Sequence, residues 1–157
     1  MKRFIPVLAV ATLLTISLIF ESSMVVAASN EHENSSQMVS FNDLKWTELP
    51  ERKGMQFATL TGDPKTGEYT QMRKVPAGTD NGKHLHSSEI KNVIITGVWY
   101  TGIDMASARD FGSGSVVMMP ANWVHVSGCR NGSDCVFYQE GKGKFDFKPV
   151  ANSNPVK

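Results

Sequence analysis

The residues best suited to chemistry are three histidines. His84 and His86 are separated by one residue in the stretch Gly78-Thr79-Asp80-Asn81-Gly82-Lys83-His84-Leu85-His86, and His125 follows Gly114, Pro120 and Asn122 further along the chain. On a strand, side chains two positions apart face the same way, so the imidazoles of His84 and His86 can converge on one point. A third imidazole from a distant strand would complete a set of nitrogen donors for one divalent metal ion. Three neutral imidazoles leave coordination positions open, and they suit Fe(II), Zn(II), Mn(II), Ni(II) or Cu(II) without selecting among them. Glu89 is the nearest carboxylate after His86 and is a candidate fourth ligand. The competing reading makes each histidine a hydrogen-bonded core residue with no metal. His32, the remaining histidine, sits in the polar run Ser29 to Gln37 and is a poor ligand candidate.

Both cysteines, Cys129 and Cys135, bracket Arg130-Asn131-Gly132-Ser133-Asp134, in which Asn131-Gly132 is a strong turn signal. In an oxidising compartment they would form a disulfide across a hairpin loop. The alternative is a pair of thiolate ligands, but their separation fits neither the C-x-x-C nor the other common zinc spacings.

Strands must position these groups, because the dominant period of the chain is two. Val39 to Phe41, Gln56 to Leu60, Tyr69 to Val75, Asn92 to Tyr100, Ser115 to Met119 and Cys135 to Tyr138 read as short strands. Turn signals separate them at Gly62-Asp63-Pro64, Pro76-Ala77-Gly78, Gly112-Ser113-Gly114 and Gly141-Lys142-Gly143. A single helical turn over Asp104 to Arg109 is the one departure from this pattern. Short strands at this spacing predict an all-β sandwich or barrel. Met72, Met118 and Met119 lie in strands and read as core filling rather than as soft metal ligands. Gln71 and Arg73 share a strand, and if they face inward they could orient an acidic substrate.

Upstream, Met1-Lys2-Arg3 precedes an apolar run from Phe4 to Phe20, and Val25-Val26-Ala27-Ala28 offers small residues for cleavage near Ala27 or Ala28. The expectation is a signal peptide over 1–28, a polar leader over 29–38, one domain over 39–150 and a short tail over 151–157, exported to the periplasm or secreted. The competing reading is an uncleaved anchor. With a formal net charge of +1 and no basic cluster beyond the signal, nucleic acid is excluded as a partner. No membrane association is expected once the signal is removed. No Ser-His-Asp order, nucleotide loop or redox C-x-x-C is present.

The two histidine stretches resemble the paired motifs of the cupin superfamily. The first motif, Gly, five residues, His-x-His, a glutamate and a later Gly, is matched at Gly78, His84, His86 and Gly97. The second, Gly, five residues, Pro-x-Gly, two residues, His and a later Asn, is matched at Gly114, Pro120 and His125. The chain is also similar to small single-domain cupins, among them the cupin domain of ChrR-type anti-sigma factors. This resemblance implies a jelly-roll β-barrel with a metal in its mouth, a small-molecule ligand, and room for a homodimer. Three departures stand out. Ile90 occupies the usual glutamate position, with Glu89 one residue early; Asn122 replaces the second-motif glycine; Cys129 replaces its terminal asparagine. A one-residue offset on a regular strand turns a side chain to the opposite face, unless Ser87-Ser88 resets the parity. The Asn122 exchange is mild, because asparagine tolerates left-handed backbone. Three function classes are compatible with these residues: a three-histidine Fe(II)-type oxygenase acting on a small molecule, a non-catalytic ChrR-like module binding zinc or a ligand, and a metal-free structural barrel.

Overall fold

Alternation of apolar and polar residues makes most of this chain into strands, and where the alternation breaks the chain changes sheets. The computed structural model describes residues 36–151. The expected signal and His32 lie outside the described residues, as do most of the leader and all but the first residue of the tail.

Eleven strands are described: β1 Thr47–Glu48, β2 Gln56–Gly62, β3 Tyr69–Val75, β4 Asp80–Leu85, β5 Ile90–Thr96, β6 Trp99–Gly102, β7 Arg109–Phe111, β8 Val116–Met119, β9 His125–Cys129, β10 Cys135–Gly141 and β11 Lys148–Pro149. They form two antiparallel sheets, ordered β1-β2-β3-β10-β5-β8 and β11-β4-β9-β6-β7. This is the expected all-β jelly-roll, with one correction: among the described residues no ladder joins the two sheets, so the barrel is not closed by hydrogen bonds.

Between the sheets lies a core that includes Val75, Ile90, Ile94, Trp99, Met119, Phe137 and both cysteines, against which Leu49, Phe111, Trp123 and Phe145 pack. A smaller cluster of Ala58, Met72 and Val136 sits with Leu44, Trp46, Leu60 and Tyr138. Residues of opposite parity on β3 thus reach two different clusters, Met72 one and Val75 the other, as period two requires.

Three expected elements differ. Val39 to Phe41 is not a strand; a short 3-10 turn over Phe41–Asp43 stands there with no buried residue, so nothing holds the segment extended. The expected strand Asn92 to Tyr100 is two strands in different sheets, broken at Gly97. Its φ is +75°, and a Cβ there would meet the Asp134 carbonyl oxygen at 2.7 Å, so only glycine can make this corner. Asp104 to Arg109 is not helical: Ser107 N–H donates to Asp104 Oδ1 at 2.8 Å and closes a tight turn instead.

Candidate metal centre

His84 and His125 are register partners on the adjacent strands β4 and β9. Cross-strand partners face the same side of a sheet, which brings their ring centroids to 4.2 Å. His86, two residues beyond His84 and just past the end of β4, adds its ring at 5.1 Å from His84 and 5.5 Å from His125. Its backbone is fixed by the turn that leads into β9, because Asn122 N–H donates to the His86 carbonyl at 2.7 Å. Asn122 has φ +62°, the left-handed backbone expected at a position where glycine is usual.

Each imidazole is set in one tautomer by a main-chain carbonyl. Nδ1 of His84 donates to Gly82 O at 2.9 Å, Nδ1 of His125 to Trp123 O at 2.9 Å, and Nδ1 of His86 to Asp146 O. With Nδ1 occupied on all three, Nε2 is the nitrogen left for a metal, and this outer support is what ligating histidines require. All three residues are buried, and one ring nitrogen from each lies within 4.8 Å of the other two. Ligands bound at about 2.0–2.1 Å around one ion sit about 3.0–3.4 Å apart, so a modest inward turn of the rings seats a metal. Nε2 of His125 is buried and has no hydrogen-bond partner, which also fits a ligand atom. Burial pushes the imidazolium pKa of His84 down to about 3 and of His86 down to about 4, and lowers that of His125, while the carbonyl bonds pull each of them back upward. The rings are therefore neutral at pH 7, the form that ligates. Three such nitrogens could hold a divalent ion.

A strap from Lys142 to Val150 crosses the mouth between the sheets. Phe147 stacks on His84 at 4.3 Å and 25°, and Phe145 lies 5.5 Å from His86. Trp123 stacks on the third ring, His125, at 4.8 Å and 11°. The strap is tied down by Phe145 N–H to Pro64 O at 2.7 Å and by Val150 N–H to Lys83 O at 2.9 Å. Beneath it a cavity of about 30 Å³ is lined by His84 and His86, the polar residues Arg52, Arg73, Asn81, Asn92, Ser127 and Gln139, and apolar Met55, Val75, Trp99, Met119 and Phe137. A cleft of about 290 Å³ adjoins it and shares Arg52, Arg73, Phe145 and Phe147.

Glu89 does not join the histidine group. Its carbonyl accepts from Lys142 N–H at 3.0 Å and its charge acts on the Lys142 ammonium, while Ile90 after it is buried in the core. Cys129 and Cys135 form a disulfide with Cα atoms 5.8 Å apart. The expected hairpin is absent, since β9 and β10 belong to different sheets, and the bond therefore ties one sheet to the other. Met72 and Met119 are buried, but Met118 is 59% exposed and fills no core. Gln71 and Arg73 both face inward, and Arg73 lines the histidine cavity. The strap aromatics, Arg52 and the buried amides Asn92 and Gln139 carry no motif. The signal for the amides was a polar residue at an inward position of an otherwise apolar strand face.

Two facing antiparallel sheets with a histidine trio at the mouth between them define a cupin. The chain belongs to the ChrR Cupin-like domain family, which its sequence matches over residues 34–143. Among solved structures it is similar to an RmlC-like cupin protein from Ralstonia eutropha, at 20% identity, TM-score 0.61, and coverage of 78% of this chain and 77% of that one. The polyketide cyclase RemF from Streptomyces resistomycificus matches at 17% identity and TM-score 0.61, over 76% of this chain and 89% of the other. A chain of the Rhodobacter sphaeroides complex of SigE with the anti-sigma ChrR matches at 19% identity and TM-score 0.52, over 66% of this chain and 52% of that one. No curated protein sequence matches significantly.

Proposed function

We propose that this protein is an exported cupin that holds one divalent metal ion through Nε2 of His84, His86 and His125 and acts on a small molecule as a three-histidine oxygenase of the Fe(II) type. The observation that carries the metal is the shared tautomer: three buried rings, each with Nδ1 committed to a carbonyl. A metal bound there would supply Lewis acidity and a route for electrons. The chain's own residues confine the ligand. Trp99, Phe137 and Met119 wall the cavity with apolar surface, and the strap limits what enters. That wall favours a small, partly apolar molecule over a sugar. Export is supported by the charged start, apolar run and small-residue end of 1–28.

A second reading, a non-catalytic zinc- or ligand-binding module, is favoured by the family match and by the similarity to the ChrR complex. Elemental analysis of protein taken from the periplasmic fraction separates these readings. Iron, with oxygen consumption on a panel of small diketones and thiols, supports the oxygenase. Zinc without turnover supports the binding module, and an absence of any retained metal overturns the oxygenase and the zinc module and favours a barrel without metal. Sequencing the mature N-terminus tests export: a start other than near Ala27 or Ala28 refutes the proposed cleavage.

A further inference from the structure

Arg73 is a buried cation with no counter-ion. It is 6% exposed on β3, where its register partners are Phe57 on β2 and Phe137 on β10. Its Nε has no hydrogen-bond partner, and among the described residues no carboxylate pairs with its guanidinium. The acid whose charge reaches it, Glu51, is solvent-exposed, and Arg52 opposes it with a second positive charge. The carboxylate of Asp146 is taken by Ser87 N–H at 2.7 Å and by Lys148 at 3.3 Å. The ring of Phe145, 5.0 Å from the guanidinium, is a weak partner for the charge. A guanidinium left this way costs folding free energy, because buried charges are ordinarily paired and hydrogen-bonded.

A second orphan donor faces the same cavity. Trp99 Nε1 is buried without an acceptor, and Trp99, Arg73, His84 and His86 all line the space beneath the strap. Beside them Gln71 Nε2 donates to Gln139 Oε1 at 2.7 Å, and Gln139 Nε2 donates to Asn92 Oδ1 at 3.1 Å. That ladder uses the acceptor of Asn92 and leaves its amide N–H groups. Arg73, Trp99, Asn92, His84 and His86 thus line one cavity, and its own side chains supply no anion.

We propose that this cavity takes the carboxylate group of a small organic acid, held against Arg73 in the space that His84 and His86 also line, with the rest of the molecule in the adjoining cleft. The space of about 30 Å³ beneath the strap takes little more than a carboxylate head group, and the adjoining cleft of about 290 Å³, which Arg73 also lines, takes the rest of the molecule. The inference deepens the three-histidine reading, since the carboxylate lies in the space that His84 and His86 line, but Arg73 holds it with or without metal.

Calorimetric titration with acetate and propionate, against acetamide and propionamide as neutral isosteres, tests it on zinc-loaded and on EDTA-treated protein. The carboxylates are expected to bind and the amides not. Arg73→Gln should weaken carboxylate binding at least tenfold at unchanged zinc content, and Arg73→Lys should weaken it less. Equal affinity in wild type and Arg73→Gln, amides that bind as tightly as acids, or no carboxylate binding in either state overturns the proposal. Should Arg73→Gln fail to fold, the acid-against-amide comparison in the wild-type protein decides alone. Should zinc not be retained, the metal reading falls, and the same comparison on EDTA-treated protein still decides on Arg73.

Discussion

His86 donates its Nδ1–H to the main-chain carbonyl of Asp146, 60 residues further along the chain. The strap that supplies this carbonyl also lays Phe147 flat on His84. Ring orientation at the centre is therefore set in part by a segment with only a two-residue strand of its own. Phe147→Ala removes the stacked face without touching a ligand atom. Metal affinity should fall by about tenfold, the lower end of what outer support of a ligand contributes. Competition with a chromophoric chelator measures it, and an unchanged dissociation constant would show that the strap does not organise the site.

Removing a ligand should be far worse than removing the neighbouring acid. His86→Ala leaves two imidazoles, which hold a first-row divalent ion weakly, so bound metal should be lost on gel filtration. Glu89→Gln should keep a full equivalent, because Glu89 stands outside the histidine group. Metal titration of both variants at one pH gives the answer, and equal losses refute a three-histidine centre.

The histidine positions were legible in the sequence because ligand geometry forces a pattern: two histidines one residue apart, and a third on a partner strand. The left-handed Asn122 was legible for a similar reason, since few residues accept that backbone. By contrast, the corner at Gly97 was hidden inside a run of β-branched and aromatic residues that reads as one long strand, and only the approach of Asp134, in the loop just ahead of β10, shows why it breaks. The strap was invisible too. Phe145 and Phe147 alternate like any strand face, and what makes them part of the site is a long-range contact with no local signature.

Burial of neutral imidazoles makes stability depend on pH in a definite direction. The folded-state values of about 3 for His84 and about 4 for His86 lie below the ordinary value of 6.5, so the unfolded chain takes up protons first. Stability of the EDTA-treated protein is then complete above about pH 6.5 and declines as pH falls below it, levelling only near the folded values. Between about pH 7 and 5 ordinary carboxylates stay ionised, so a falling urea midpoint in that window reports the histidines. A flat profile there contradicts the buried neutral assignment.

The disulfide between Cys129 and Cys135 closes a short loop, worth about 2 kcal/mol by the chain-entropy relation. Reduction should lower the thermal midpoint by several degrees. Bound metal should stay, because Cys129 lies at the end of β9 opposite to His125. Metal release on reduction alone would assign a thiolate to the site.

The sheet order places β4 beside β9 and β11, strands from separate parts of the sequence. No local segment can assemble this centre; it exists only after the longest loops of the chain have closed, which are the slow and entropically costly steps of folding. His84 and His86 alone offer an unfolded chain no more than a weak, two-nitrogen hold on any ion. An ion held by this centre would thus be selected at the end of folding rather than during synthesis. If the chain is exported as proposed, that ion would be the one abundant where the two sheets finally meet.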